Sequence, residues 1–376
     1  MTNKPQFVGE TRRKIRLNEL CTKGKSSLRQ KDISNGGPYA VYGASGIVGY
    51  MDSFQNAVPY VAVVKDGAGV GRTSACAANT SVLGTMQALI PTDGTDRDYL
   101  LHLIKSLRLG DDFSGSTIPH IYFKDYGKTL VPFHNPVEQQ RIVDILSTVE
   151  RQIEGSKQQL DQLDNLVKSR FVEMFGVTPE ESRFPVLTVG AIADVIVGVV
   201  VKPKRYYTED FASGVKAFRS LNVREMRIHN DEWVYFTREG NEECEKSKLK
   251  VGDVLVVRSG YPGTSCVVTE EFEGCNAVDL IIARPDQNVM NPNYLAAFTN
   301  SDYVKGLIGQ ASVGSAQKHF NVGAYKKMKI AVPPLADQTV FVDFLQQVDK
   351  SRFVAQQQIE KLQMLYDSLA QEYFGD

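Results

Sequence analysis

The sequence predicts an α/β (α+β) chain: two pseudo-repeated globular domains, each followed by a long α-helix. Three observations carry this. The stretch Val137–Gly176, VEQQRIVDILSTVERQIEGSKQQLDQLDNLVKSRFVEMFG, returns as Ala336–Gly375, ADQTVFVDFLQQVDKSRFVAQQQIEKLQMLYDSLAQEYFG, at an ungapped offset of 199 residues. Both copies place apolar residues at alternating spacings of four and three, the pattern of a coiled-coil seam. Between them lie Gly-rich, strand-rich, aromatic segments with weak helical periodicity, and these share a skeleton of their own. A fixed internal period is read first because it decides the architecture. Two copies make a duplication, not a solenoid.

The first helix declares its ends. Asn135, Pro136 and Glu138 form a capping box with proline where a missing N–H costs nothing, and Gly176 followed by Pro179 is a stop signal. The first seam runs Ile142, Leu146, Val149, Ile153, Ser156, Leu160, Leu163, Val167; the second runs Phe341, Leu345, Val348, Arg352, Ala355, Ile359, Leu362, Tyr366, Leu369. Each helix could pack on its own globular domain, but one apolar seam with a polar remainder over roughly 57 Å favours pairing of the two helices.

The globular parts correspond as well. YVAVVKDGAGVGRTS (Tyr60–Ser74) answers DVLVVRSGYPGTS (Asp253–Ser265), an apolar strand followed by a base and a glycine turn. DYLLHLI (Asp98–Ile104) answers NYLAAFT (Asn293–Thr299), each expected as a short amphipathic helix. GSTIPHIYFKDYGK (Gly115–Lys128) answers GSAQKHFNVGAYKK (Gly314–Lys327), matching His120/His319, Tyr126/Tyr325 and Lys128/Lys327. The expected organisation is therefore globular 1–134, helix 135–177, globular 178–333 and helix 334–376. Helices that keep a common geometry while the lobes diverge suggest lobes fitted to different targets.

The 376 residues, 42% apolar and 23% charged, suit about two globular domains. No apolar run approaches the ~18 residues of a membrane span, and MTNKPQFVGETRRKIRLNEL lacks a secretory apolar stretch. Five scattered cysteines without a C-x-x-C pair point to thiols in a reducing, cytoplasmic setting and to neither disulfides nor zinc. A net charge of −1 argues against nucleic acid until its distribution is read: residues 138–176 carry −2 and 337–376 carry −4, leaving +5 on the rest. Residues 1–31 alone hold nine bases against two acids.

The motifs GGPYAVYGASGIVGYMDSF (Gly36–Phe54), VGSAQKHFNV (Val313–Val322) and VPPLADQ (Val332–Gln338), with FHNPVEQ (Phe133–Gln139) at the matching entry to the first helix, resemble the specificity (S) subunit of a type I restriction–modification system. The resemblance covers essentially the whole chain. It implies two target-recognition domains alternating with two helices that form an antiparallel coiled coil, each domain reading half of a split double-stranded DNA site. It further implies that the helices set an unread spacer and dock modification (methyltransferase) subunits, two in number, that carry S-adenosylmethionine. Restriction (ATP-dependent nuclease and translocase) subunits are further expected partners, with no membrane and no cofactor or metal in this chain. The chain is short for the family, which leaves open any extra C-terminal segment closing a pseudo-symmetric ring.

Side chains able to meet base edges are Arg and Lys for guanine, Asn and Gln for adenine, with Ser, Thr and Tyr more permissive. The candidates in the first lobe are Tyr42, Ser45, Lys65, Arg72 and Thr73; in the second they are Arg219, Asn222, Arg258, Tyr261, Thr264 and Ser265. Lys23, Lys25, Arg29 and Lys31, with Lys202, Lys204 and Arg205, are expected on phosphates, where they position without specifying. His120 and His319 join the set, with a structural role as the competing reading. A surplus of +5 is thin for a stand-alone DNA binder, since phosphate neutralisation dominates affinity; partner subunits are expected to supply much of the backbone contact.

Two rivals remain. VAVVKDGAGVG (Val61–Gly71) and NPNY (Asn291–Tyr294) suggest an S-adenosylmethionine-dependent DNA adenine methyltransferase in its own right. Such a glycine loop should open a helix and be followed about 20 residues later by an acid, whereas RTSACAANTSVLGTMQALI is strand-like and both segments have counterparts lacking the motif. The expectation is a non-catalytic chain. The second rival, a coiled-coil adaptor binding proteins only, has no need of basic, hydroxyl-rich loops in both lobes.

Overall fold

Asn135 starts the first long helix as its spacing predicts. Its Oδ1 accepts from the Val137 and Glu138 backbone N–H groups at 3.1 and 3.0 Å, and Glu138 returns a bond to the Asn135 N–H at 3.3 Å. The helix runs Pro136–Phe175 and ends at Gly176, whose φ of +95° is the left-handed stop that glycine adopts freely. The second long helix runs Leu335–Phe374. The computed structural model describes residues 13–34, 36–111, 119–311 and 320–375. Two units emerge: Met1–Gln158 with Ala355–Asp376, and Gln159–Val354. Each contains one globular lobe, the part of a long helix adjoining it, and a stretch of the other long helix.

In the first unit a four-stranded antiparallel sheet has the order Cys21–Lys23, Met86–Pro91, Tyr60–Val64, Thr73–Cys76. A second, three-stranded sheet orders Gly46–Met51, Tyr39–Gly43 and Ser81–Val82, the last pair parallel. In the second unit the large sheet orders Ala193–Val197, Leu280–Pro285, Val254–Val257, Ser265–Val267, again antiparallel. Its companion sheet orders Tyr207–Thr208, Val234–Phe236, Val215–Phe218 and Asn276–Ala277, also ending in a parallel pair. The two lobes are therefore one mixed α/β plan used twice, as the shared skeleton predicts.

The short helices Arg97–Ser106 and Pro292–Thr299 correct one expectation. Tyr99–Ile104 and Tyr294–Thr299 are buried without interruption, so neither segment is amphipathic in the fold. Each is covered on one side by its sheet and on another by the long helices. In the first unit Val61, Val63 and Leu89 of the sheet join one core with Ile142, Leu146, Val149 and Ile153 of the first long helix and with Tyr366, Ala370 and Phe374 of the second. In the second unit Val254, Val256 and Ile281 join Val167, Phe171 and Phe175 with Phe341, Leu345 and Val348. Within each unit the beginning of one long helix lies with the end of the other, so the pair runs antiparallel.

Matched residues do matched work. Gln139 donates to Gly94 O at 3.0 Å and His134 O at 2.8 Å and accepts from the Asp96 N–H at 2.8 Å. Gln338 donates to Val289 O at 2.9 Å and Pro333 O at 2.7 Å and accepts from the Asn291 N–H at 2.7 Å. Each buried glutamine thus ties its long helix to the cap of the short one. The terminal aromatics repeat the scheme: Phe374 packs edge-on to Tyr99, with ring centroids 5.5 Å apart, and Phe175 packs on Tyr294 at 4.8 Å.

Candidate nucleic-acid interface

In both lobes the root of a glycine hairpin pairs with the segment that precedes a short helix. In the first, the Ile121 N–H donates to Lys65 O at 3.0 Å; in the second, the Phe320 N–H donates to Arg258 O at 3.0 Å. This junction gathers many of the residues that the sequence nominates. Lys65, Arg72 and Thr73 lie on the first hairpin, where the Val64 N–H donates to Arg72 O at 2.8 Å and Thr73 pairs with Val63. His120 Nδ1 lies 2.7 Å from Asp66 Oδ1, and Lys23 reaches over the ring of Phe123 at 5.9 Å. Its neighbour Tyr122 is exposed, stacks on His120 with planes 17° apart, and carries the Lys124 ammonium 5.2 Å from its centroid.

The other nominated residues of this lobe sit elsewhere on it. Ser45 is exposed in the turn joining Tyr39–Gly43 to Gly46–Met51, and Tyr42 is half-buried in the first of those strands. Lys25, Arg29 and Lys31 are exposed; Arg29 is held by Asp32 at 3.2 Å, and hydrogen bonds from Arg29 draw the Asp32 carboxyl below its ordinary range.

In the second lobe Arg258 and Asp279 pair at 2.6 Å, and Arg258 Nε donates to Phe320 O at 3.2 Å. Both line a cleft of about 640 Å³ with Val199, Val200, Pro203 and Asn321. The loop bearing Lys202, Lys204 and Arg205 thus borders the same junction; Arg205 lies over the Tyr206 ring at 4.4 Å and 3.6 Å from Glu243. Tyr261 stands at the hairpin tip, 83% exposed, and Thr264 is half-buried at its foot. An acid beside a DNA surface would repel phosphate. Asp66 and Asp279 are instead paired with His120 and Arg258, and they hold those side chains in place.

Asn222 and Ser265 are different. Both are fully buried. Asn222 accepts from the Arg219 N–H at 2.9 Å and donates to His229 O and Asp231 O, while Ser265 donates to Ala296 O at 3.0 Å. Their polar atoms are committed to the fold, because a buried polar group must be satisfied internally, and they face no surface. Arg219 is half-buried with one guanidinium nitrogen on Glu232 O at 2.7 Å. His319 lies outside the described residues.

Sequence reasoning missed Tyr122, Lys124, Asp66 and Asp279. The only signal was composition, an aromatic between bases in HIYFKD, because Tyr122 matches Asn321 and has no repeated partner. The methyltransferase reading loses its geometry. The glycine stretch joins Tyr60–Val64 to the antiparallel strand Thr73–Cys76 and opens no helix, so it is not the strand-to-helix turn that such a loop requires. In NPNY, Asn291 caps a helix by accepting from the Asn293 N–H at 2.9 Å, and buried Tyr294 donates to Ala331 O at 2.9 Å. The thiols of Cys21 and Cys266 are pushed up to about 12 by burial, and those of Cys76 and Cys275 to about 11, which keeps them protonated. Among the described residues no helix is long and apolar enough to cross a membrane.

Comparison with known proteins places this architecture. The chain is 21% identical over 259 residues to the type I restriction enzyme EcoBI specificity subunit of Escherichia coli, covering 62% of this chain and 54% of that one. It is 23% identical over 177 residues to the StySPI specificity subunit of Salmonella potsdam, covering 44% and 36%. The chain therefore spans about half the length, or less, of these curated relatives. The crystal structure of a type I restriction–modification S subunit from M. genitalium has the same fold, with a TM-score of 0.55 at 16% identity over 98% of both chains. A chain from a study of complex assembly and conformational transition in the type I R-M system aligns with a TM-score of 0.57 at 15% identity, over 98% of this chain and 99% of that one. The profile described as "Type I restriction modification DNA specificity domain" matches twice, at residues 10–165 and 202–364, once on each repeat. With most of its length so matched, the chain belongs to the family of type I restriction modification DNA specificity domains.

Proposed function

We propose that this chain is the DNA sequence-specificity subunit of a type I restriction–modification complex and carries no catalytic residue. The duplicated junction carries the reading: one scaffold, used twice, presents two different sets of bases, hydroxyls and aromatics. Residues 1–134 read one half-site and 178–333 the other, so the whole site is asymmetric. Phosphates are met by Lys23, Lys25, Arg29 and Lys31 in one lobe and Lys202, Lys204 and Arg205 in the other. Bases are met by side chains drawn from Tyr42, Ser45, Lys65, Arg72, Thr73 and His120, and from Arg219, Arg258, Tyr261 and Thr264. Asn222 and Ser265 hold the second set in position.

Two modification subunits dock on the long helices and bring S-adenosylmethionine, and restriction subunits complete a nuclease. Because both reading heads belong to one chain, the second contact is effectively intramolecular. The test is binding of the complex of this chain with its modification subunits to a split-site duplex. A mismatch in either half costs about 1–3 kcal/mol, and base changes in the gap cost little. Equal tolerance of changes in one half and in the gap would contradict two-headed reading.

A further inference from the structure

We propose that Tyr122 and Tyr261 are stacking wedges, one per lobe, that press an aromatic ring against the opened base stack of their half-sites. The inference rests on the DNA-reading function proposed above and adds to it: recognition includes local distortion of the duplex.

The two rings are carried by different ones of the segments that meet at this junction. Where the first lobe has Tyr122 after the paired strand residue Ile121, the second has Asn321 after Phe320. Where the second has Tyr261, three residues past Arg258, the first has Ala68, three past Lys65. The aromatic is kept at the junction while its carrier changes. Each is built to be presented. Tyr122 begins the helix Phe123–Tyr126 and lies against His120, which Asp66 fixes at 2.7 Å. Tyr261 is the most exposed large apolar side chain among the described residues. Its hairpin turns at Gly260 and Gly263, with φ of +86° and +90°, and an added Cβ at Gly263 would come within 2.6 Å of Ile308 Cδ1.

Both rings are exposed, and each is carried on a segment that also bears a cation able to meet a polyanion. Lys124 lies over the first ring and Lys23 over the adjacent Phe123; Arg258 lies at the foot of the hairpin that carries the second. Ring faces beside phosphate-binding cations are what unstacked bases use, and apolar side chains inserted between base steps kink a duplex.

The experiment uses the complex of full chain and modification subunits on split-site duplexes with 2-aminopurine placed in one half-site at a time. The wild type brightens the probe in each half. Tyr122→Ala abolishes the signal in one half only and Tyr261→Ala in the other, each weakening binding about 10- to 100-fold with the salt slope unchanged. Tyr→Phe at either position stays within about twofold. A Phe variant as weak as the Ala variant would mean that the hydroxyl acts by hydrogen bonding, to a base edge or a phosphate, and overturns the proposal. Wild-type binding without brightening overturns the wedge and leaves the two-headed function standing. Absence of site-specific binding by the wild type overturns that function itself. Thermal melts of the Ala variants, both at exposed positions, verify that the fold is intact.

Discussion

Gln139 and Gln338 show what a repeated residue does in this chain. Each is buried and makes three hydrogen bonds to main-chain groups that nothing else satisfies in the same way. Replacing either by Leu strands those groups, and urea unfolding should show a loss of about 3 kcal/mol. The residues legible from the repeat are of this kind: Tyr99/Tyr294, Tyr126/Tyr325 and Phe175/Phe374 are all buried scaffold. The proposed reading surface was legible only as basic loops, because residues fitted to two different half-sites would diverge and leave no match to find. Asn222 and Ser265 have the right chemistry for bases, yet sequence cannot tell an outward hydroxyl or amide from one bonded inward.

His102 adds a pH dependence at the same scale. Its ring nitrogens lie 2.9 Å from Tyr366 Oη and 3.1 Å from Ser147 Oγ. Burial holds the imidazole below its ordinary range despite Glu150, Asp98 and Asp96 nearby, with Lys105 acting in the same direction as burial. The folded state therefore keeps it neutral while the unfolded chain protonates it near pH ~6.5. Below that pH the unfolded state binds more protons, so stability falls as pH falls. Urea midpoints should drop between about pH 7.5 and about pH 5.5, and His102→Asn should shrink that drop. An unchanged pH dependence in the variant would contradict the assignment.

At the scale of elements, the long helices were the most legible part because seam, cap and stop all agree. The seam also contains Arg352, 8% exposed, which sequence marks as an interruption. It is held by Asp349 at 2.6 Å and by Asp164 of the facing helix, so charge replaces an apolar knob without leaving it unpaired. The hairpins are the other decisive elements. Gly71 has φ of +84°, and an added Cβ would lie 2.3 Å from the Gly110 backbone nitrogen. Gly71→Ala should displace the hairpin bearing Lys65 and Arg72 and cost about 2–3 kcal/mol. Binding assays should then show loss of discrimination in one half-site with the other retained; equal loss in both would argue against independent heads.

At the scale of the whole molecule, acid on the helices and base on the lobes suit the separate tasks proposed for them. On the proposed function, lobes that carry only +5 leave much of the phosphate neutralisation to partner subunits, so free chain should bind its site weakly at ~0.2 M salt and the assembled complex tightly. Matched heptad insertions in both long helices should change the length of the unread gap and leave the half-site sequences as they were. The most direct measurement is a map of adenine methylation across the genome of cells carrying the complete system, with and without this gene. The account predicts loss of one split, asymmetric motif with a fixed unread gap when the gene is removed. A motif that persists, or one that is continuous and symmetric, would contradict it.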